Sequence, residues 1–331
     1  MKALVYTGPH SLEFRDEPEP VPANDEALVK VSAVGICGSD MHAYHGDDSR
    51  RPAPLVLGHE AAGHVISGPN AGMRAAVNPL VTCGTCESCT GGRAHLCSSR
   101  QLISMPPRPG AFAEIVRIPE RNIFPIPDGF DIAKAALAEP LAVSYHAVNH
   151  GIRFLQRPIV ASRCAVLGGG AIGLGCALVL AMHGAREIHI GESNPARRRT
   201  AAAAGPFACY SPGSREEPED STVDFIVDAV GANATRETAS RLARPGGVIV
   251  HAGLLPGAEG LDVRKITLQE ITFTGTYCYT PMDFKETLDA IIDGRFGPLA
   301  WFEERPLADG QQAFRDIDSG KLSAAKIILR P

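Results

Sequence analysis

No apolar stretch in the sequence approaches the ~20 residues a bilayer-crossing helix needs, so no membrane span is expected. A secretion signal is not expected either. The opening MKALVYTGPHSLEF carries one lysine and a short apolar run that breaks at Gly8-Pro9, too short for an export signal. A cytoplasmic location is the expectation. Strong charge is missing as well: the net charge is −5 and the isoelectric point about 6.1, which argues against a broad nucleic-acid surface. The one basic run is Arg197-Arg198-Arg199, and there is no internal repeat and no low-complexity tract beyond Ala201–Ala204. With 44% apolar and 21% charged residues, what remains is a globular chain of 331 residues, long enough for one large or two ordinary domains.

Nine cysteines, an odd number without an export signal, point to reduced thiols and metal ligation rather than a disulfide framework. Four of them fall in CGTCESCTGGRAHLC. Cys83, Cys86, Cys89 and Cys97 have the spacing C-x2-C-x2-C-x7-C, dense enough for one tetrahedral zinc. Four thiolates from one loop fill such an ion completely, so this site stabilises and cannot activate a substrate. A nucleic-acid ribbon is the alternative, but within 83–97 only Arg93 is basic and no aromatic accompanies His95.

The texture changes along the chain. Up to about residue 145, short alternating runs such as ALVKVSAVG read as strands of a β-rich domain. From about 160, strand and helix alternate: CAVL, the helix AIGLGCALVLAMHG, EIHIG, the helix PARRRTAAAAG, DFIVDAVG, a helix over 233–242, and GVIVHAG. That order predicts an α/β unit with a parallel sheet covered on both faces. A further helix, DFKETLDAIIDG, and a final strand, AAKIILRP, follow.

LGGGAIG places Gly168, Gly170 and Gly173 in the G-x-G-x-x-G pattern between a strand and a helix. Gly168 permits the tight turn, Gly170 lets a pyrophosphate reach the backbone, and Gly173 lets helix and strand close-pack, with the helix N-terminus attracting phosphate. Glu192 ends the next strand, where a carboxylate accepts from ribose hydroxyls and repels a 2′-phosphate, favouring NAD over NADP. Arg197 is the countervailing feature, since a guanidinium can pair with a 2′-phosphate. Candidate cofactor contacts are therefore Gly168, Gly170, Ala171, Ile172, Gly173, Glu192 and Arg197, with Ala229 and Gly253 after later strands.

VGICGSDMHAY and LVLGHEAAGH supply Cys37, His59 and Glu60, the ligand types of a catalytic zinc with an open position. GICGSD, GHE, the cysteine lobe, EPLAVSYHA and LGGGAIG occur in that order. Together they resemble the zinc-dependent medium-chain dehydrogenases, and most closely the polyol branch that includes sorbitol, idonate and galactitol-phosphate dehydrogenases. The resemblance implies a GroES-like β-rich catalytic domain from residues 1–145 and 278–331, around a doubly wound Rossmann domain at 146–277. It implies two zinc ions per chain: a catalytic one held by Cys37, His59 and Glu60, with Glu139 as a further ligand or water holder, and a structural one in the cysteine lobe. Asp40 is implied to orient the ligand imidazole, and Ser39 to begin a proton relay that His42 continues. The implied reaction is hydride transfer between a secondary alcohol or polyol and NAD(P), with zinc promoting ionisation of the alcohol.

Several positions depart from the polyol pattern. Ala43 follows His42 where tyrosine is usual, and Cys278 in Gly275–Tyr279 stands where an arginine would help bind a polyhydroxylated or charged substrate. Met73 takes the place of a common aspartate, and the segment through Pro106, Pro107 and Pro109 is short. These changes open the reading to a smaller secondary alcohol. An NADP-preferring reductase of a small ketone or aldehyde, and a dehydrogenase-like protein without activity, are the alternatives. A homodimer or homotetramer is expected from the resemblance and from the apolar strands at 248–252 and 271–276.

Overall fold

A computed structural model describes all 331 residues, Met1–Pro331. Two sheets organise it. The strand Glu26–Gly35 buries Ala27, Val29 and Val31 in one core, as a strand with one face inward should; a register shift between Val31 and Ala33 then sends Ala33 into the other core while Val34 stays in the first. It lies inside a seven-stranded sheet running Ile123–Pro125, Arg74–Val77, Glu60–Val65, Glu26–Gly35, Lys326–Arg330 and Phe302–Pro306, with Ile115–Pro119 also paired to Glu26–Gly35. The strand Lys326–Arg330 pairs antiparallel with Glu26–Gly35, from the other end of the sequence, and parallel with the nearby Phe302–Pro306. That pairing brings residue 326 beside residues 35 and 36.

The second sheet is wholly parallel and has six strands: Ala208–Tyr210, Glu187–Gly191, Arg163–Leu167, Val223–Asp228, Ala243–His251 and Thr272–Gly275. Numbered along the chain the order is 3-2-1-4-5-6, the doubly wound arrangement, with a crevice between the first and fourth strands where the winding reverses. Every residue of Val223–Asp228 is buried, as a central strand covered by helices on both faces requires. Each expected strand and helix of this region is present; the largest differences are that Ala243–His251 begins before the expected GVIVHAG and Val223–Asp228 ends before the glycine of DFIVDAVG.

Two expectations meet a different arrangement. Val248, Ile249 and Val250 are fully enclosed between strands on either side, so they offer no open apolar surface; the exposed edge of the sheet is Thr272–Gly275. Residue 145, expected as a boundary, falls inside the continuous helix Ala138–Ile152. That helix buries Leu141, Ala147 and Val148 in the core shared with Leu174, Val250 and Phe284, while its first turn reaches the seven-stranded sheet. Chain continuity, not a linker, thus joins the two halves.

Candidate active site

Cys37, His59 and Glu60 converge. Their ligand atoms all lie within 4.8 Å of one another, although they come from the end of one strand, a loop and the start of the next. Cys37 sits before the helix Gly38–His45, and its N–H donates to Asp40 Oδ2 at 3.0 Å, closing the first turn. The other oxygen of Asp40 faces the Gly58 N–H at 3.3 Å and His59 Nδ1 at 3.6 Å. Ser104 Oγ is 3.3 Å from the same Nδ1. Both neighbours therefore engage Nδ1 and leave Nε2 as the ligand nitrogen.

Glycine 35 makes room for the carboxylate. A Cβ there would overlap Glu60 Oε2, so the strand passes the site only because position 35 has no side chain. Glu60 is completely buried. Its Oε1 accepts from Lys326 Nζ at 2.6 Å, and Lys326 also donates to the Ile36 carbonyl at 2.8 Å. Oε2 has no hydrogen-bond partner, an orphaned buried acceptor of the kind a metal would satisfy.

The electrostatics agree. Burial would raise the Asp40 carboxyl, but His59, Arg51 and the Cys37 N–H outweigh it and hold the group below its usual range. Burial would lower His59, yet Asp40 and Cys37 draw it well above its ordinary value. Glu139, at the start of Ala138–Ile152, is pushed up to about 7 by burial, against the pull of His59 and a hydrogen bond from Tyr279 Oη at 2.9 Å. Carboxyls and a thiol thus crowd a buried space whose fixed cations are Lys326 and Arg51. A divalent cation fits that charge balance and that donor set. Glu139 stands outside the three-ligand group but within electrostatic reach of His59 and Glu60.

Ser39 and His42 are both on the helix Gly38–His45. The side chain that reaches Ser39 Oγ is Arg51, at 3.4 Å, rather than His42. Arg51 is nearly fully buried and also donates to the Ser39 carbonyl, the Ser104 carbonyl and Asp48. Sequence reasoning missed Arg51, Ser104 and Lys326. A lone lysine inside the apolar strand KIILR was the one available signal. Cys278 has a positive φ of 46°, and burial, aided by the charge of Glu139, pushes its thiol up to about 12. Beside it, the Arg100 guanidinium lies 4.9 Å from the centre of the Tyr277 ring.

The cysteine lobe is separate. Sulfur–sulfur separations of 3.5 Å (Cys86–Cys89, Cys83–Cys97) and 3.9 Å (Cys83–Cys89) match the ~3.8 Å edge of a tetrahedron with zinc–sulfur bonds of ~2.3 Å. Backbone N–H groups of Thr85 and Cys86 lower the Cys83 thiol to about 5, so it is a ready thiolate.

At the parallel sheet, Gly168 has φ 101°, and a Cβ on Gly173 would overlap the Gly168 carbonyl, so the turn and the helix Ala171–Met182 both depend on glycine. Ala171 and Ile172 open that helix. Ala229 and Gly253 follow neighbouring strands, each anchored by its N–H, Ala229 to Leu167 O and Gly253 to Asp228 O, both at 3.0 Å. Together with Gly168 and Gly170 they border the crevice at the switch point. Glu192 is buried there. Its Oε2 accepts the Gly169 N–H at 2.9 Å and its Oε1 accepts from Asn194 N at 2.7 Å and Arg197 Nη2 at 3.3 Å, with capacity on Oε2 for one more donor.

Residues 23–128 match the alcohol dehydrogenase GroES-like domain, and residues 171–293 match the family described as zinc-binding dehydrogenase. The chain is 31% identical to L-galactonate-5-dehydrogenase of Escherichia coli K12, over 96% of this chain and 98% of that protein.

The chain belongs to the zinc-binding dehydrogenases.

This dehydrogenase is also 33% identical to sorbitol dehydrogenase of Bacillus subtilis 168, over 88% of its own length and 87% of the relative's. Its fold superposes on L-idonate 5-dehydrogenase of E. coli K-12 with a TM-score of 0.89, at 25% identity, covering 100% of the dehydrogenase and 98% of that chain. The expected GroES-like and Rossmann-like pairing is thereby established, and with it membership of the oxidoreductases.

Proposed function

We propose that this dehydrogenase transfers hydride between a secondary alcohol or polyol and NAD, at a site held by Cys37, His59 and Glu60. The observation that carries the proposal is the convergence of those three ligands around an orphaned Glu60 oxygen. Cys37, His59 and Glu60 would hold a zinc ion, which would supply the Lewis acidity needed to ionise an alcohol near neutrality, and a bound nicotinamide would supply the hydride acceptor. Asp40 and Ser104 hold His59 in the tautomer that presents Nε2. Ser39 Oγ takes up the alcohol's proton as its own hydroxyl proton passes outward to water, with Arg51 donating to the same oxygen and His42 lying further out on the same helix as the next acceptor. Glu139, oriented by Tyr279, stands beside the three ligands as a further ligand or water holder.

Gly168 to Gly173 receive the pyrophosphate and Glu192 the adenosine ribose, which favours NAD; Arg197 offsets part of the Glu192 charge and leaves NADP as the weaker cosubstrate. A second, structural zinc belongs to Cys83, Cys86, Cys89 and Cys97. Relatives named for L-galactonate, sorbitol and L-idonate support a substrate bearing several hydroxyls, while Cys278 in place of a basic group supports a smaller one. The division into a catalytic unit of 1–145 and 278–331 and a nucleotide unit of 146–277 goes with this reading. A homodimer or homotetramer is supported by the open edge strand Thr272–Gly275 and the exposed Leu254, Val263 and Leu268 nearby in sequence. Nine cysteines without a disulfide fit a reducing, cytoplasmic setting.

The test is reduction of NAD by a panel of polyols and secondary alcohols, with and without a chelator. Turnover that the chelator abolishes is expected. No turnover on any substrate, with zinc and nicotinamide both bound, would sink the proposal in favour of an inactive relative.

A further inference from the structure

A second cluster of ligand side chains lies away from Cys37, His59 and Glu60. His10 comes from the turn between the strands Lys2–Gly8 and Ser11–Asp16, His45 ends the helix Gly38–His45, and Asp318 ends the helix Gly310–Asp318. One ligand atom from each lies within 4.8 Å of the other two. His45 Nε2 is 2.7 Å from Asp318 Oδ1, and the His10 and His45 ring centres are 5.4 Å apart. Metal bonds of ~2.0–2.1 Å set neighbouring ligand atoms about 3 Å apart, so small side-chain rotations close the set around one ion.

The frame that holds these groups is built before any ion arrives. His10 has φ 60°, a left-handed conformation that a two-residue turn imposes and that turns its ring onto the end of the helix Gly38–His45. Its N–H donates to the Tyr44 carbonyl at 2.6 Å. Gln311 then ties the three elements together: its Oε1 accepts from Leu12 N at 2.6 Å, and its Nε2 donates to His10 O and Tyr44 Oη, both at 3.4 Å. Tyr44, fully buried, packs edge-on against His10 and, at a tilt of 46°, against Phe314 of the last helix. Three segments from the two ends of the sequence are thus locked with their ligand groups on one surface.

We propose that His10, His45 and Asp318 form a third metal position, an open surface site for a borderline divalent transition-metal ion. Two imidazoles and one carboxylate suit zinc or nickel over calcium or magnesium, which prefer all-oxygen shells. Three protein ligands leave positions for water, so the site is weaker than the four-thiolate lobe and exchanges its ion. An ion held there staples the first turn of the chain to the far end of the helix whose first turn carries Ser39 and Asp40.

The probe is Ni²⁺, titrated into the full-length, zinc-loaded protein by isothermal calorimetry, with melting temperature as a second readout. One equivalent of Ni²⁺ with micromolar to submillimolar affinity is expected, together with a rise in melting temperature on binding. Asp318→Asn removes the carboxylate, and His10→Asn removes one imidazole while keeping a residue that tolerates the left-handed backbone. Each is expected to weaken binding at least about tenfold and to cancel the thermal shift, with bound zinc unchanged. Uptake identical in both variants, or none in the parent protein up to millimolar Ni²⁺, overturns the proposal. Neither outcome depends on turnover, so the result is independent of the proposed reaction.

Discussion

Replacing Lys326 by methionine removes the ammonium that faces Glu60 while keeping most of the side-chain volume. Lys326 is 5% exposed and Glu60 0% exposed, and the ammonium donates to Glu60 at 2.6 Å and to the Ile36 carbonyl at 2.8 Å. Breaking a buried pair from one side strands the other charge, at a cost of about 3–5 kcal/mol. Taken over a catalytic unit of roughly 200 residues, that corresponds to a fall in melting temperature of roughly 6–20 °C. The fall is expected in full only in zinc-stripped protein. With zinc bound, the ion supplies the positive charge that Glu60 has lost, and the shift should shrink by at least half. Adding Glu60→Gln to the zinc-stripped variant should recover most of the loss, since no buried charge then remains. The assay is thermal or urea unfolding of Lys326→Met, Glu60→Gln and the double variant, each with and without zinc. A Lys326→Met protein that melts with its parent when stripped refutes the buried-pair reasoning; a loss equally large with zinc refutes the placement of Glu60 against the metal.

Tyr279→Phe deletes the donor to Glu139, whose carboxyl burial pushes up to about 7, so in zinc-stripped protein the pH dependence of the urea midpoint should shift further upward. Because the folded value exceeds the unfolded one, Glu139 favours folding fully below its unfolded pKa, and that contribution is lost as pH rises through about 7; in zinc-stripped protein Glu139→Gln should flatten this slope in urea midpoints. Cys97→Ser, at the buried corner of the cysteine lobe, should release one of two zinc equivalents in metal analysis and make residues 83–97 sensitive to protease, leaving the other equivalent in place. Glu192→Ser removes the carboxylate and frees Arg197, so the ratio of kcat/KM for NADP over NAD should rise by about tenfold or more, and a ratio that does not move would place the ribose elsewhere.

The nucleotide half was legible because its signals are local. The glycines at 168, 170 and 173, the acid at 192 and the alternation of strand and helix are each set by neighbours within a few residues, and the sheet order follows from short right-handed crossovers. Motif resemblance singled out Cys37, His59 and Glu60, the proposed ligands that the fold brings together. What surrounds them was not legible, since Lys326 reaches Glu60 across 266 residues and Arg51 arrives from a loop with no local pattern. Periodicity also could not say which apolar strand lies at an edge, so 248–252 and 271–276 counted alike towards an oligomer, whereas Val248–Val250 are enclosed and Thr272–Gly275 is an edge strand.

The strand Lys326–Arg330 has a consequence for how the molecule is made. A ribosome releases residues 26–65 long before residue 326, so the early strands wait with a gap beside Gly35 and with Glu60 lacking its cation. The parallel sheet has no such dependence, since all its strands lie between 163 and 275. A nascent chain stopped before Phe302 would carry a finished dinucleotide crevice beside an unsealed metal-side sheet, so the half synthesised second is complete first.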